Sequence, residues 1–294
     1  MSNGSGGHLT WFTTAVRYNL IEHSRNKFAM VLVMAFVPAW TIVAYLVIPE
    51  TAVPFHLSAT GQLLSPPGNR MTQLTGALNA VSLITGFMMF AATFSGGPFD
   101  KRLALAGYPR THLVLAKAAT LILASAFVAA YATAIIHATW SPRQPFQLAT
   151  ALFASAMTYG ALGVVFGSVL RREVEGMFAV AMTSVVDITL QHPSRSSSAD
   201  SPFVQFLPSH GAIQTATASA FSTANTPAYL ALQALWFAAT ALLALITFHR
   251  RTRNALPPRS SGARPSPTPA AEHTARIDSA ETPPKRSSAP SPAP

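Results

Sequence analysis

The stretch FAMVLVMAFVPAWTIVAYLVI, residues 28–48, decides the fold of this chain. Its only clearly polar side chain is Thr41, and a helix of this length crosses a hydrocarbon core of about 30 Å. Pro38 is expected to kink the helix, which neighbouring helices can accommodate. The run is longer than the apolar region of a signal peptide, about 7–15 residues, and it ends on Pro49 and Glu50 without a small-residue cleavage site. We therefore predict a retained membrane span.

The composition of the whole chain agrees with this interpretation. Of the 294 residues, 50% are hydrophobic and 10% are charged, whereas soluble domains carry about 25% charged residues. The absence of cysteine excludes disulfides and thiolate chemistry. A net charge of +10 suggests nucleic-acid binding, but the basic residues cluster between apolar runs, as in membrane proteins. We therefore expect membrane lipid, and no nucleic acid, as a partner.

Five further apolar runs are spaced along the chain. Four of them are long enough to span a bilayer, and the fifth is shorter, so that by itself it could be a short span or a re-entrant segment. The six predicted spans are Phe28–Ile48, Leu74–Ser95, Ala118–Thr139, Leu148–Leu170, the short Gly176–Gln191, and Tyr229–Phe248.

The distribution of arginine and lysine decides between five and six spans. With six spans and both termini in the cytoplasm, 17 of the 20 basic residues lie on the cytoplasmic side, and only Arg70, Arg143 and Arg195 lie outside. Positive charge that flanks the spans is retained inside, and five spans would place the arginines at 250, 251 and 253 outside. The sequence therefore predicts an all-α integral membrane protein with six transmembrane helices.

The two ends of the chain lie outside the spans. Residues 8–27 place apolar side chains at helical spacing, which predicts an amphipathic helix in the cytoplasmic interface, with a solvated leader as the alternative. Residues 254–294 contain ten of the 23 prolines and no apolar periodicity, which predicts a disordered cytoplasmic tail. The predicted organisation is an N-terminal segment 1–27, a transmembrane domain 28–253 and a tail 254–294.

Motifs for catalysis are missing from the sequence. We find no phosphate-binding G-x-x-x-x-G-K-[ST], no H-E-x-x-H zinc motif and no G-x-S-x-G nucleophile elbow. The nine histidines are scattered singly, which is more typical of surface or hydrogen-bonded residues than of metal ligands. We therefore expect no enzymatic activity, metal or cofactor in this chain.

The loop after the second span, GGPFDKRLALAGYPR at residues 96–110, has a distinctive pattern. Its glycines and Pro98 are expected to end the span, and Phe99–Ala106 is expected to form a short helix. Gly107 suits a left-handed stop, and Pro109 cannot continue the helix. The segment is either a peg for a soluble partner or an interfacial turn with snorkelling basic side chains, and the residues alone leave both open.

Asp187 is the one strongly charged side chain within a predicted span. A buried acid in a membrane costs about 2.5–3.5 kcal/mol on insertion scales, so that it is a functional candidate by default. Because Asp187 lies near the outer end of its span, structural pairing is favoured over the handling of substrate or ions. A proton-coupled antiporter would normally contain several buried acids.

The fourth span carries small residues at helical spacing, at Ala156, Gly160, Gly163 and Gly167. Such a stripe lets two helices approach closely. It fits either a dimer interface or a contact within one subunit, and we favour the internal contact slightly.

These patterns resemble the type-2 permease subunits of bacterial ABC exporters over residues 10–253. The resemblance rests on the Arg25-Asn26-Lys27 entry to the first span, the Phe99–Lys117 loop, the Leu170–Gly176 turn, the segment Asp187–Pro193 and Leu207-Pro208-Ser209.

The resemblance implies a coupling helix that docks on a separate ABC ATPase subunit, which would bind ATP and magnesium. The implied coupling residues are Phe99, Asp100, Lys101, Arg102, Leu103, Gly107, Tyr108 and Pro109, with Arg171, Glu173 and Glu175 as a smaller second contact. It also implies short re-entrant helices over Phe203–Phe221 at the outer face, a second permease subunit, identical or related, and a bacterial plasma membrane location.

The expected cargo is a hydrophobic or amphipathic compound of the drug or antibiotic type. The candidate path consists of Phe87, Met88, Phe90, Phe178 and Asp187, although phenylalanine and methionine on a membrane helix more often face lipid or pack. The alternatives are a secondary transporter, for which we find no internal repeat, and a membrane scaffold that does not transport.

Overall fold

A computed structural model describes residues 13, 14, 16–18, 21, 31–58, 61–192 and 202–253, all within one compact unit. Residues 13, 14, 16–18 and 21 of the predicted N-terminal helix are helical. The rest of that helix, the start of the first predicted span and the predicted tail from residue 254 lie outside the described residues.

The described chain is mostly helical. A π-helical turn, Leu32–Phe36, leads into the first helix, and a short 3₁₀ helix, Pro202–Phe206, precedes the sixth. The α-helices are α1 Val37–Val47, α2 Gly68–Leu105, α3 Arg110–Thr139, α4 Pro145–Val169, α5 Glu173–Leu190, α6 His210–Phe221 and α7 Pro227–Arg253.

Four of these helices, α2, α3, α4 and α7, are long and apolar enough to cross a membrane. The helical, membrane-embedded character predicted from the sequence is confirmed at this level. The described part of the first predicted span is a shorter apolar helix, and α5 has 18 residues that include Glu173, Glu175 and Asp187.

The chain departs from the all-α prediction between α1 and α2. Strand β1, Phe55–Leu57, pairs antiparallel with β2, Gln62–Leu64, and Gly61 has a φ of +66° in the connecting turn, which glycine adopts without a steric penalty. Phe55 and Leu57 pack on Met71 and Ala218. Three-residue strands are too short for a period-of-two pattern to stand out, which is why the sequence did not indicate them.

Pro38 lies where the π-helical turn gives way to α1. Because proline has no N–H, the carbonyl of Met34 four residues earlier lacks the donor that an α-helix would normally supply. The hydroxyl of Tyr131 on α3 donates a hydrogen bond to this carbonyl at 3.3 Å. A neighbouring helix thus supplies the missing bond, as a proline in a membrane helix requires.

Helix α2 does not end where the sequence predicted. The glycines at 96 and 97 and Pro98 were expected to end the span, but all three lie inside one helix of 38 residues. Proline removes one backbone hydrogen bond and each glycine costs about 1 kcal/mol, which the packing of the surrounding helices offsets. At 1.5 Å per residue the helix is about 57 Å long, far longer than a hydrocarbon core of about 30 Å.

Helix α4 is the centre of the bundle and packs against α2, α3, α5, α6 and α7. Its contact with α2 is the closest, because a Cβ at Gly163 would overlap the carbonyl oxygen of Gly86, and one at Gly167 would lie 2.8 Å from that of Phe90. At Gly160 a Cβ would overlap Leu121 on α3. The small-residue stripe therefore lines contacts within the subunit.

The short helix α6 is almost entirely buried, from His210 to Ala220. It packs against α2, α4 and α7, and at its end the ring of Phe221 stacks on Trp140 with centroids 5.4 Å apart. Short helices were predicted over Phe203–Phe221, and the 3₁₀ helix and α6 occupy this segment. These helices were expected at the outer face of the bundle, but α6 is buried inside it.

Candidate functional site

The end of α2 is attached to α3 by an ion pair. The Nζ of Lys117 lies 2.8 Å from Oδ2 of Asp100, and the two side chains are only 15% and 13% exposed. Asp100 was a candidate for contact with a partner, but its carboxylate is directed into the bundle. Asp100 therefore holds the end of α2 against α3.

The turn between α2 and α3 has the geometry of a helix stop. Gly107 has a φ of +88°, and the N–H of Tyr108 donates to the carbonyl of Leu103 at 3.0 Å, the bond that closes a Schellman motif. Pro109 is extended and caps α3. The left-handed stop at Gly107 and the helix break at Pro109 lie where the sequence predicted them.

Two large apolar side chains project from this end of α2. Phe99 is 63% exposed and Leu105 is 52% exposed. The basic side chains of Lys101 and Arg102 are exposed beside them, while Leu103, Tyr108 and Pro109 are partly buried. We call the exposed side chains of Phe99, Lys101, Arg102 and Leu105 the α2 tip.

The turn between α4 and α5 lies at the same end of the bundle, since Ser168 near the end of α4 and Lys101 of α2 line one cavity. Its side chains Arg171, Glu173 and Glu175 are exposed, as is Val174 between the two glutamates. Arg172 forms an exposed ion pair with Glu175 at 3.6 Å. The two segments that the sequence grouped as partner contacts are therefore brought to one end of the bundle.

Two cavities lie near this end of the bundle. The apolar cavity has a volume of about 310 Å³ between α2, α3, α4 and α7. The polar cavity, about 320 Å³, lies closer to the α2 tip. The apolar cavity is lined by Met89, Val114, Lys117, Ala118, Leu121, Ala161, Val164, Phe237, Ala241, Leu242, Ala244, Leu245 and Phe248. The polar cavity is lined by Thr93, Gly97, Pro98, Asp100, Lys101, Ser168 and Phe248.

The predicted substrate-path residues do not line either cavity. Phe90 is fully buried, and its ring fills the space where a Cβ at Gly176 of α5 would stand. Met88 belongs to the main hydrophobic core, Phe87 is partly buried, and Phe178 is exposed on α5. Phe90 and Met88 are packed side chains in this structure, and their part in a substrate path stays a prediction.

The sequence reasoning missed the residues that do line the apolar cavity. Met89 is the immediate neighbour of two of the chosen residues, but it points from α2 toward α3, α4 and α7. Phe237 and Phe248 lie about three helical turns apart along α7, on the same face of the helix. Their spacing on one helical face is the one sequence feature that could have pointed to them, but a sequence does not show which face of a helix borders a cavity.

Asp187 is held in a buried polar cluster, in keeping with the structural pairing that the sequence favoured. Its side chain is 3% exposed and accepts hydrogen bonds from the hydroxyl of Tyr159, from Nε2 of Gln191 at 2.7 Å and from the backbone N–H of Ser209 at 3.0 Å. The carboxylate therefore joins α4, α5 and the start of α6, and it lines neither cavity.

The cluster continues from Asp187 into α6. Gln191 donates from Nε2 to the hydroxyl of Ser209 at 2.8 Å, and its Oε1 accepts from Nδ1 of His210 at 3.1 Å. Gln233 of α7 accepts from the N–H of Ala212 at 3.0 Å and donates to Thr158 of α4 at 2.8 Å. These bonds satisfy polar groups that are costly to bury without partners, and they fix α6 in the bundle.

No protein-family model matches the chain, and no curated protein matches it in sequence. Among the described residues, no three side chains of the kinds that bind metals are grouped as a metal site would require. The features of the described chain that could serve a function are the α2 tip, the α4–α5 turn and the two cavities.

Proposed function

We propose that this chain is the transmembrane subunit of an ATP-driven ABC exporter in the bacterial plasma membrane. Its cargo is a hydrophobic or amphipathic compound of the drug or antibiotic type. ATP and magnesium are bound by a separate ATPase subunit, and a second permease subunit, identical or related, completes the transporter. The proposal extends the resemblance of the sequence to type-2 permeases.

The α2 tip is the observation that carries this proposal. Helix α2 is about twice as long as a hydrocarbon core, so its end extends beyond the apolar layer. There Phe99 and Leu105 are exposed, and large apolar side chains that are exposed together beside basic ones suit a surface that a partner covers. Lys101 and Arg102 add positive charge for an acidic partner surface.

The attachment of this tip suits it to transmit force. The Asp100–Lys117 pair and the stop at Gly107 connect α2 to α3 in a fixed turn. A push from a partner on the tip would move both long helices together, as a rigid-body change between inward-open and outward-open states requires. The exposed Arg171, Glu173 and Glu175 form the smaller second contact.

The proposed topology has six spans, with the α2 tip and both termini in the cytoplasm. In this proposal, helices α1 to α5 and α7 serve as the six spans, and the short helices before α7 serve as the re-entrant segment. The β-hairpin, the α6–α7 connection and the aromatic pair Trp140–Phe221 then lie at the outer end. This arrangement follows the distribution of arginine and lysine.

The proposal is tested by purifying the tagged chain from its native membrane in mild detergent, followed by identification of co-purifying proteins and an ATPase assay. We expect a near-stoichiometric ATP-binding partner that is lost in Phe99→Glu. Phe203→Glu is the matched control, because Phe203 is also an exposed phenylalanine, at 79% against 63% for Phe99, and lies at the opposite end of the bundle. A chain that purifies without ATPase activity would contradict the proposal and favour a secondary transporter or a scaffold.

A further inference from the structure

The two cavities are neighbours, one apolar and one polar. Phe248 lines both of them. Lys117 lines the apolar cavity, and its ion-pair partner Asp100 lines the polar cavity. A ligand that occupied both would have an apolar body along α3 and α7 and a polar group beside the Asp100–Lys117 pair.

The apolar cavity opens sideways toward the lipid. Its buried floor includes Met89 and Ala161, each 2% exposed, whereas Leu242 and Leu245 at its rim are 58% and 45% exposed. Along α7 the lining extends from Phe237 to Phe248, about 16 Å at 1.5 Å per residue. This distance matches one leaflet, half of a hydrocarbon core of about 30 Å.

The volume of the apolar cavity favours one hydrocarbon chain. About 310 Å³ is at the small end of the range of about 300–1,000 Å³ that small-molecule pockets occupy. The lining is apolar apart from Lys117 at the end nearest the polar cavity. A single extended chain, entering from the leaflet beside the α2 tip, fits this shape and lining.

The polar cavity carries hydrogen-bonding groups and one basic side chain, Lys101, outside the ion pair. Over the two cavities together, Lys101 and Lys117 stand against the single carboxylate of Asp100, which is paired with Lys117. The hydroxyl of Thr93, on a side chain that is 3% exposed, is buried with no hydrogen-bond partner among the described residues. The hydroxyl of Ser168 also lines the cavity, but it already donates to the carbonyl of Val164 at 2.8 Å, which leaves Lys101 and Thr93 as the donors. These groups are complementary to an anionic headgroup.

We propose that the two neighbouring cavities together bind a single-chain amphiphile with an anionic headgroup, taken up sideways from the adjacent leaflet between α3 and α7. The chain lies on Met89, Leu121 and Phe237, and the headgroup lies beside Lys101. That this amphiphile is the cargo at its point of entry rests on the proposed function. The binding itself does not depend on an ATPase.

Binding is tested on the purified full chain in phosphatidylcholine nanodiscs, without any partner. The probe is a long-chain fatty acid with a diazirine near the end of its chain, and cross-linked residues are located by mass spectrometry. We expect cross-links on cavity-lining residues of α3, α4 and α7. Competition by the unlabelled acid but not by the amine of equal chain length is also expected.

Matched variants distinguish the cavity from the general lipid surface. Ala241→Trp fills the cavity and is expected to weaken labelling by at least about tenfold in apparent affinity, whereas Ala239→Trp, on the lipid-exposed face of the same helix, leaves it unchanged. Lys101→Glu is expected to weaken binding of the acid by about fivefold and not that of the corresponding alcohol. Arg143→Glu, an exposed charge reversal at the opposite end, is the control.

Cross-links in the unmodified chain that fall outside the cavity would overturn the proposal. So would equal labelling of the two tryptophan variants, or equal competition by the acid and the amine. The binding assay contains no ATPase, so its result stands even if the exporter proposal is wrong. Likewise, a failure to bind the fatty acid does not change the result of the co-purification.

Discussion

The carboxylate of Asp100 lies 2.8 Å from the ammonium group of Lys117, across the turn that joins α2 to α3. Both side chains are largely shielded from water, so the attraction between them is screened less than that of a surface pair. The pair holds the end of the longest helix against its neighbour and leaves Phe99 and Leu105 on the outside. Its role is therefore to position the α2 tip.

Removal of one member of this pair is expected to destabilise the protein. Asp100→Asn leaves the ammonium group of Lys117 partly buried without its counter-charge, at a cost of about 1–3 kcal/mol, between the values for exposed and fully buried pairs. The measurement is thermal unfolding in detergent. The double variant Asp100→Asn with Lys117→Gln is expected to lose less than the sum of the single variants, and strict additivity would contradict a direct interaction.

The contact between α2 and α4 is expected to tolerate no added methyl group. Gly163→Ala places a Cβ against the backbone oxygen of Gly86, so the helices must separate, at a cost of about 3 kcal/mol. Gly96→Ala is the matched control, because its Cβ would meet only the end of the Lys117 side chain at 3.9 Å. Comparison of their unfolding temperatures tests this, and equal loss in both would show that the close approach is absent.

Asp187 is expected to matter for folding rather than for transport. In Asp187→Asn the amide group would face donors from Tyr159, Gln191 and Ser209, which leaves at least one of them unsatisfied and costs about 1–3 kcal/mol for each. Tyr159→Phe removes one donor and leaves the other two bonds, so its loss is expected to be smaller. Normal stability of Asp187→Asn with abolished transport would instead indicate a role in the substrate path.

Single cysteines test the six-span topology, since the natural chain has none. We expect a membrane-impermeant maleimide to label Gln62→Cys and Asn225→Cys in intact cells. Ala106→Cys and Arg250→Cys are expected to react only after permeabilisation, because the proposed topology places them at the cytoplasmic end. All four positions are exposed in the structure, and the unmodified chain provides the background. Labelling of Arg250→Cys in intact cells would support five spans.

The sequence was sufficient to predict the helical membrane character and the turn after α2. Long apolar runs without charge have few structural solutions, because a membrane leaves backbone groups no water to bind. Gly107 and Pro109 each permit or forbid particular backbone angles by themselves, so their effect is local. Such features depend only on the residues and their immediate neighbours, so they can be predicted from a single sequence.

Features that depend on tertiary contacts were not predictable. Pro98 lies inside α2 because surrounding contacts offset its cost, and local propensity carries no record of them. Aspartate is a residue type that is usually found at the surface, yet the carboxylate of Asp100 faces Lys117 in the bundle. Phe90 and Met89 are adjacent in sequence, but one fills a contact with α5 and the other borders a cavity. The direction of each side chain around the helix decides the difference.

Docking of the α2 tip on an ATPase can be detected by cross-linking from a single position. Leu105→Cys, in the otherwise cysteine-free chain, is modified with benzophenone maleimide in native membranes and photolysed. Phe127→Cys, about equally exposed in the middle of α3, is the control. The account predicts that Leu105→Cys cross-links to an ATP-binding protein and Phe127→Cys does not. No ATP-binding protein in the Leu105→Cys product, or the same products from both positions, would contradict it.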